Sequence, residues 1–339
     1  MDAAIDGVWA DLVDDARWAP SPHNLQSWLV RALGATEAEL LYDPARVLPQ
    51  TDPLGRFITV GLGVFIESLA LAAAARGLAL AVAYDGARID AGARRPAPFA
   101  RLSLAPADVD EPLPVRLLHE RRTSRLPYDG RAVPDRVLDE LRTLARSAGH
   151  EFRWSSDPAL VREILALNEE TLFFDMTDAT ARREIGRWLR FSAAEAARRG
   201  DGFSPAALGF PGPLLKLFFR AHRLAELPGV RDAVRSLYRR TMRGTPTIAW
   251  LQGPFEQPHD WLATGRLLQR LWLTLTKHGV QLHPFGSIVT NADANARAHD
   301  LLDLGSEAEA GTFWLAVRLG YSAEPPRSHR LETEQLLVA

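Results

Sequence analysis

The sequence predicts a helix-and-strand protein built as two related halves in one chain. Three observations carry this. First, two apolar segments share one pattern. Residues 63–77 read GVFIESLALAAAARG and residues 265–279 read GRLLQRLWLTLTKHG, with identical glycine spacing and with Leu69 and Leu71 opposite Leu271 and Leu273. Second, each half carries an earlier amphipathic segment. Ile5, Val8, Trp9, Leu12, Val13 and Ala16 fall at helical spacing within residues 3–17. Val137, Leu138, Leu141, Leu144 and Ala145 do so within 133–146, where Pro134 sits in the first turn. The stretch LVDDAR at 12–17 aligns with LRTLAR at 141–146. Third, a hydrophobic strand pattern follows in each half, at 78–84 and at 313–319. The Pro- and Asp-rich residues 106–114 (PADVDEPLP) read as the loop between halves of 1–113 and 114–339. The second half is longer by a segment near 165–240. It reads as helical over 182–199 and as Gly- and Pro-rich over 200–213, the form of a lid over a site.

Composition excludes several chemistries. None of the 339 residues is cysteine, which removes disulfides, thiolate nucleophiles, iron–sulfur clusters and cysteine-bound zinc. A net charge of −2 gives no electrostatic case for nucleic acid as a partner. The acidic, amphipathic N-terminus lacks the basic and apolar stretches of a secretory signal. The longest apolar run, residues 57–75, has Glu67 near its centre and Gly61 and Gly63 at its start. It reads as a buried core helix rather than a membrane span, so a cytoplasmic protein is expected. The sequence holds no GxSxG, no GxxxxGK[ST], no HExxH and no GxGxxG after a strand. A side-chain nucleophile or a protein-held metal is therefore not expected.

Two polar clusters remain. Arg121-Arg122-Thr123-Ser124-Arg125 places three guanidinium forks and two hydroxyls in five residues, a donor set suited to a phosphate dianion. An exposed basic turn would have the same composition. Residues 19–28, APSPHNLQSW, set amide and hydroxyl groups beside a tryptophan, where they could meet the edge of a planar heterocycle. A helix-terminating turn that leads into a strand reads the same way. The pairs Phe173-Phe174 and Phe218-Phe219 are equally open between a substrate face and lid packing.

Four segments together resemble the nitroreductase family. ARWAPSPHNLQSW resembles its APSxxNxQPW signature, with serine in place of the usual proline before tryptophan. RRTSRLPYDGRAVP resembles RRSxRxF…VP, and GVQLHPFGSI resembles the GLxSxPIEGF loop beside the flavin. LGYSAEPPRSHRLETEQLL resembles the C-terminal strand-GY-then-Arg element. The order and the doubling are similar to the duplicated single-chain Acg-type group. The resemblance implies an α+β nitroreductase-like fold in two pseudo-symmetric halves. Each half would hold a small mixed, mainly antiparallel sheet flanked by helices, with helices 57–76 and 262–278 packed between them.

It also implies FMN and an oxidoreductase in which the flavin, rather than a side chain, carries the chemistry. Hydride would pass from NAD(P)H to a small organic acceptor, nitroaromatic or quinone. A non-catalytic flavin holder and a specialised flavin-dependent dehydrogenase are the alternatives. The RRTSR element occurs only in the second half and the APSPHNLQSW element only in the first, so one complete FMN site per chain is expected. By the resemblance, Arg121, Arg122, Thr123 and Arg125 would hold the phosphate and ribityl end, closed by Arg330. Ser21, Asn24 and Gln26 would face the ring. Backbone N–H groups of Gly286 and Ser287 would approach its reactive nitrogen, where many family members carry a glutamate in place of Gly286. Arg327 reads as a surface charge. The internal pair would replace a dimer interface, giving a monomer or a loose homodimer.

Overall fold

The structure, a computed structural model, describes residues 5–221, 227–305 and 311–339. Residues 3–4 of the expected first helix, and 222–226 within the expected insertion, lie outside the described residues.

Helix α1 (Ile5–Ala16) buries Trp9, Leu12, Val13 and Ala16, the stripe that its spacing implies. The chain turns at Pro20 and Pro22 into β1 (Trp28–Ala32) and β2 (Glu37–Tyr42). Helix α2 (Arg56–Ala74) follows. The Asp52 carboxylate accepts the N–H groups of Arg56, Phe57 and Ile58 at its start, which satisfies three of the donors that a first helical turn leaves unpaired. Strands β3 (Leu78–Ala83) and β4 (Ala97–Pro106) complete an antiparallel sheet of order β1-β2-β4-β3.

After α3 (Arg116–Glu120) and α4 (Asp135–Ser147) comes β5 (Glu151–Ser155). Residues 156–246 then hold α5 (Pro158–Asp175), α6 (Ala179–Arg187), α7 (Ala193–Arg199), α8 (Pro205–Leu208), α9 (Gly212–Arg220) and α10 (Pro228–Thr241). Strand β6 (Thr247–Gly253), α11 (Pro258–Lys277), β7 (Gln281–Pro284), α12 (Gly286–Thr290), α13 (Ala292–Leu302) and β8 (Thr312–Gly320) follow, with α14 (Thr333–Leu336) near the end. The second sheet has the order β5-β6-β8-β7. Each sheet thus runs first, second, fourth, third. A bulge breaks each second strand against its fourth, between Leu40 and Leu41 and between Leu251 and Gln252. Every pair of these strands is antiparallel, and single parallel bridges join them at the edges, Leu337 to Val30 of β1 and Thr123 to Leu282 of β7, within the mixed, mainly antiparallel character expected.

Most of the extra length of the second half lies between β5 and β6, with a smaller part in α12 and α13 between β7 and β8. Residues 33–36 make the corresponding turn between β1 and β2. The single helix expected over 182–199 is two helices. The break is held by the Arg190 guanidinium, which bonds Asp201, and by the Leu189–Phe203 bridge; Ser192 then caps α7 by accepting from Glu195 N–H.

Helices α2 and α11 cross at glycines. A Cβ on Gly63 would lie 2.3 Å from the Leu262 carbonyl oxygen, and one on Gly265 would lie 2.1 Å from that of Val60. Each would also stand 3.0–3.1 Å from the opposite glycine's Cα. Residues matched by the sequence repeat therefore meet in space. Helix α2 is long and apolar enough to cross a membrane, yet 83% of its apolar window is buried inside the protein. Glu67 is satisfied there by α11, accepting from Arg266 Nε and Arg270 Nη1 at 2.7 Å each. Gln269 Nε2 donates to Ser68 Oγ at 2.9 Å across the same contact.

Candidate functional site

A cavity of about 1040 Å³ opens between the two halves and the insertion. Its character changes from end to end.

One end is basic. The segment after α3 is pinned beside β7, where Thr123 bridges Leu282 and Ser124 N–H donates to the Leu282 carbonyl. This holds Arg121, Arg122 and Thr123 on the cavity wall. Arg121 is buried over the Trp272 ring, and Nη2 donates to the Trp18 carbonyl at 3.0 Å. Arg330 donates to that same carbonyl from Nη2 and to Asn24 Oδ1 from Nη1. Arg122 bonds the exposed Glu324 at 2.8 Å, and the Arg327 guanidinium lies 3.3 Å from the Trp18 ring centroid. Arg121 Nε and Nη1, Arg122 Nε and Nη1, and Arg330 Nε are buried with no partner among the described residues. Burial first, then the charges of Arg330, Arg122 and Arg327, holds Arg121 well below the ordinary guanidinium range. Burial, with Arg327 and Arg17, pushes Arg330 down to about 9. Crowded, desolvated cations with unspent donors are costly until an anion joins them. Forked guanidinium donors match the geometry of a phosphate dianion.

Arg125 lines the cavity but stands apart from this group. Its guanidinium donates to the Ala207 carbonyl and lies over Phe203, and its pKa is pushed to about 10 by burial and by Arg318. The charges that bear on Arg121 are those of Arg330, Arg122 and Arg327, whereas the cation that bears on Arg125 is Arg318. Arg125 thus stands apart from the buried group of Arg121, Arg122 and Arg330, beside which the resemblance sets it at the phosphate and ribityl end. Arg327, read from the sequence as a surface charge, is exposed, yet it lines the cavity over Trp18 and its charge bears on both Arg121 and Arg330.

The loop after α1 is unusual in its backbone. His23, Asn24 and Gln26 take positive φ of 48°, 57° and 55°, a region that L-residues seldom occupy. Side chains hold it there. Ser21 Oγ accepts Gln26 N–H, and Asn24 Nδ2 donates to the carbonyls of Gly202 and His329. Ser21 and Asn24 line the cavity. Gln26 corrects the sequence reading. It is fully buried, with Nε2 donating to the Gly200 carbonyl and Oε1 accepting Leu331 N–H. With both ends of its amide spent on backbone, it fixes the loop and does not face the cavity. His23, which the sequence reading left out, does face it. Burial pushes its pKa to about 4, so it is neutral at pH 7, and its Nδ1 has no partner among the described residues.

Gly286 and Ser287 open α12 on the cavity wall, and a Cβ on Gly286 would meet nothing within 4 Å. Ser287 and Asn291 hydrogen-bond Asp175 at the end of α5, the Asn291 Nδ2 contact being 2.8 Å. The inserted helices supply the apolar end, with Phe173, Phe174, Phe218, Phe219 and Leu214. Buried carboxylates tie them to the first half. Glu184 accepts Gln50 N–H, Thr51 N–H and Thr51 Oγ–H at 2.7–3.0 Å. Asp201 joins Arg190 and Arg46.

No family model matches the chain. Over 308 residues it is 27% identical to a probable NAD(P)H nitroreductase, PigM, of Serratia sp. (strain ATCC 39006), covering 86% of this chain and 83% of that protein. The resemblance to nitroreductases thus extends over most of the chain. Among solved structures it is similar to a nitroreductase with bound FMN from Desulfitobacterium hafniense DCB-2, at 13% identity and a TM-score of 0.39. It is also similar to the FMN-dependent nitroreductase NfnB from Mycobacterium smegmatis in complex with NADPH, at 17% and 0.40. Each likeness covers 66% of this chain and 96–97% of the other.

Proposed function

We propose that the protein is an FMN-dependent oxidoreductase of nitroreductase type, with one FMN site per chain, formed jointly by two halves descended from a duplication. The observation that carries this is the set of buried guanidinium nitrogens without partners at one end of the cavity. The likeness to a probable NAD(P)H nitroreductase supports it. Bound FMN would supply hydride transfer between a nicotinamide donor and an organic acceptor of nitroaromatic or quinone class. Arg121, Arg122 and Arg330 would hold its phosphate, with Arg327 at the mouth. Thr123, Ser21 and Asn24 would flank the molecule, while Gly286 and Ser287 leave space against the far end. Arg125 and neutral His23 would offer hydrogen bonds between the two ends.

One site per chain is supported by what stands at the counterpart position after β3. There the His259 ring packs against Tyr84 and would lie 2.5 Å from a Cβ on Gly86, and Arg88 lies over Trp261.

The test is a visible spectrum of the purified protein, followed by anaerobic addition of NADH or NADPH. Flavin absorption that bleaches on addition is the expected result. Absorption that resists both donors but yields to dithionite would replace turnover with flavin storage, a reading favoured by the inserted wall. A colourless protein that cannot take up FMN would overturn both.

A further inference from the structure

The apolar end of the cavity has a polarity opposite to the basic end. Three aspartates reach the cavity wall. Asp52 is spent on the N–H groups that start α2, and Asp178 on those of Thr180 and Ala181 at the start of α6. Asp175 has no such duty. Its hydrogen bonds come from Asn291 and Ser287, two side chains that also line the cavity. Among the described residues no lysine or arginine pairs with it, while the cavity's arginines stand at the basic end or, in the case of Arg125, bond the Ala207 carbonyl. Beside it, Phe173, Phe174, Phe218 and Phe219 offer aromatic surface. A ring would be held there by stacking and apolar burial, which leaves Asp175 as the charged group that its polar end would meet.

We propose that this end of the cavity binds a flat aromatic molecule whose polar end donates hydrogen bonds, an arylalkyl ammonium above all, with Asp175 as its anchor. The inference rests on the flavin reading, in that the basic end is taken by the phosphate and the substrate is left the apolar end. An anionic aromatic would set its charge against a carboxylate that no cation among the described residues pairs with, since Arg182 is spent on the Met176 and Thr177 carbonyls and Arg235 lies over Phe173 beside Glu169. An ammonium would supply the missing counter-charge. Burial already lifts the Asp175 carboxyl above its ordinary value, the direction expected of a desolvated carboxylate short of a cation. The carboxylate enters from the inserted helix α5. The same insertion would therefore set both the shape of the substrate end and its charge preference. Asp175 is here a specificity residue, and hydride transfer does not pass through it.

The test is isothermal titration of the flavin-loaded protein with three probes of one shape: 1-naphthylmethylamine, 1-naphthalenemethanol and 1-naphthoate. The amine is expected to bind most tightly and the naphthoate at least about tenfold more weakly, the scale of one charge-assisted hydrogen bond. Asp175→Asn should bring the amine to within about twofold of the alcohol. Ser287→Ala, which keeps the carboxylate, should retain the order. Naphthoate binding as tightly as the amine, no amine binding at millimolar concentration, or an unchanged ratio in Asp175→Asn overturns the proposal. Because the readout is heat, the titrations still answer if the protein proves to hold no flavin, and released-flavin quantitation reports that failure separately.

Discussion

Replacing Arg121 with methionine should separate two effects that usually move together. An unbranched side chain is kept beside Trp272, while the guanidinium, whose carbon lies 4.8 Å from that ring's centroid, is lost. Arg121 has two buried nitrogens without partners, enough for one fork onto a phosphate. A hydrogen bond to a charged group is worth about 1.5–3 kcal/mol, so FMN affinity should fall about ten- to a hundredfold. Riboflavin, which lacks the phosphate, should lose almost nothing. In the flavin-free protein the sign reverses. Arg121 is desolvated and repelled by Arg330, Arg122 and Arg327. A buried charge without a partner is costly, so flavin-free Arg121→Met should melt above the flavin-free wild type. Titration calorimetry with FMN and riboflavin, with thermal melts of both flavin-free proteins, reads all three quantities. The reasoning is refuted if the variant purifies with full FMN occupancy, if riboflavin weakens as much as FMN, or if the flavin-free variant melts lower.

Three further outcomes are expected. Gly265→Ala forces a methyl to within 2.1 Å of the Val60 carbonyl oxygen and should cost about 1–3 kcal/mol or more in chemical denaturation. Glu184→Ala removes the carboxylate that accepts from Gln50 and Thr51. It should cost about 2 kcal/mol and raise hydrogen exchange at residues 50–51, and unchanged exchange there would show that the insertion is held by other contacts. His23 has its pKa lowered to about 4 from an unfolded value of 6.5. The unfolded chain therefore binds more protons between those values, and stability falls as pH drops from about 6.5 toward 4. His23→Asn, whose side chain tolerates positive φ and carries no charge, should flatten that part of a melting-temperature profile against pH.

Much of the frame was legible in the sequence because it rests on local pattern. Apolar spacing marked α1, α4 and the two central helices within a few residues. The matched glycines at 63 and 265 marked the repeat, and their close helix crossing, which excludes a Cβ, came into view only in the structure. The site segments were legible as composition, and their roles were not. Gln26 and Asn24 are adjacent polar residues in one loop, yet only long-range contacts decide that Gln26 spends its amide on Gly200 and Leu331 while Asn24 reaches the cavity. Arg121 and Arg125 look alike in RRTSR, and the neighbours that divide them, Trp18 and Arg330 against Phe203 and Arg318, come from distant parts of the chain. The bounds of the insertion were blurred because α5 continues helical pattern across residue 165. Its true edges are the ends of β5 and β6, a pairing across ninety residues that no local period encodes. Asp175 carried no signal, being one acid at a helix end.

The central claim is a single flavin site that neither half completes alone. It is tested most directly by denaturing purified, FMN-saturated protein and quantifying the released flavin against polypeptide. The account predicts about one FMN per chain, falling well below that in Arg121→Met prepared the same way after desalting. A ratio near two, or no retained FMN at all in the wild type, would contradict it.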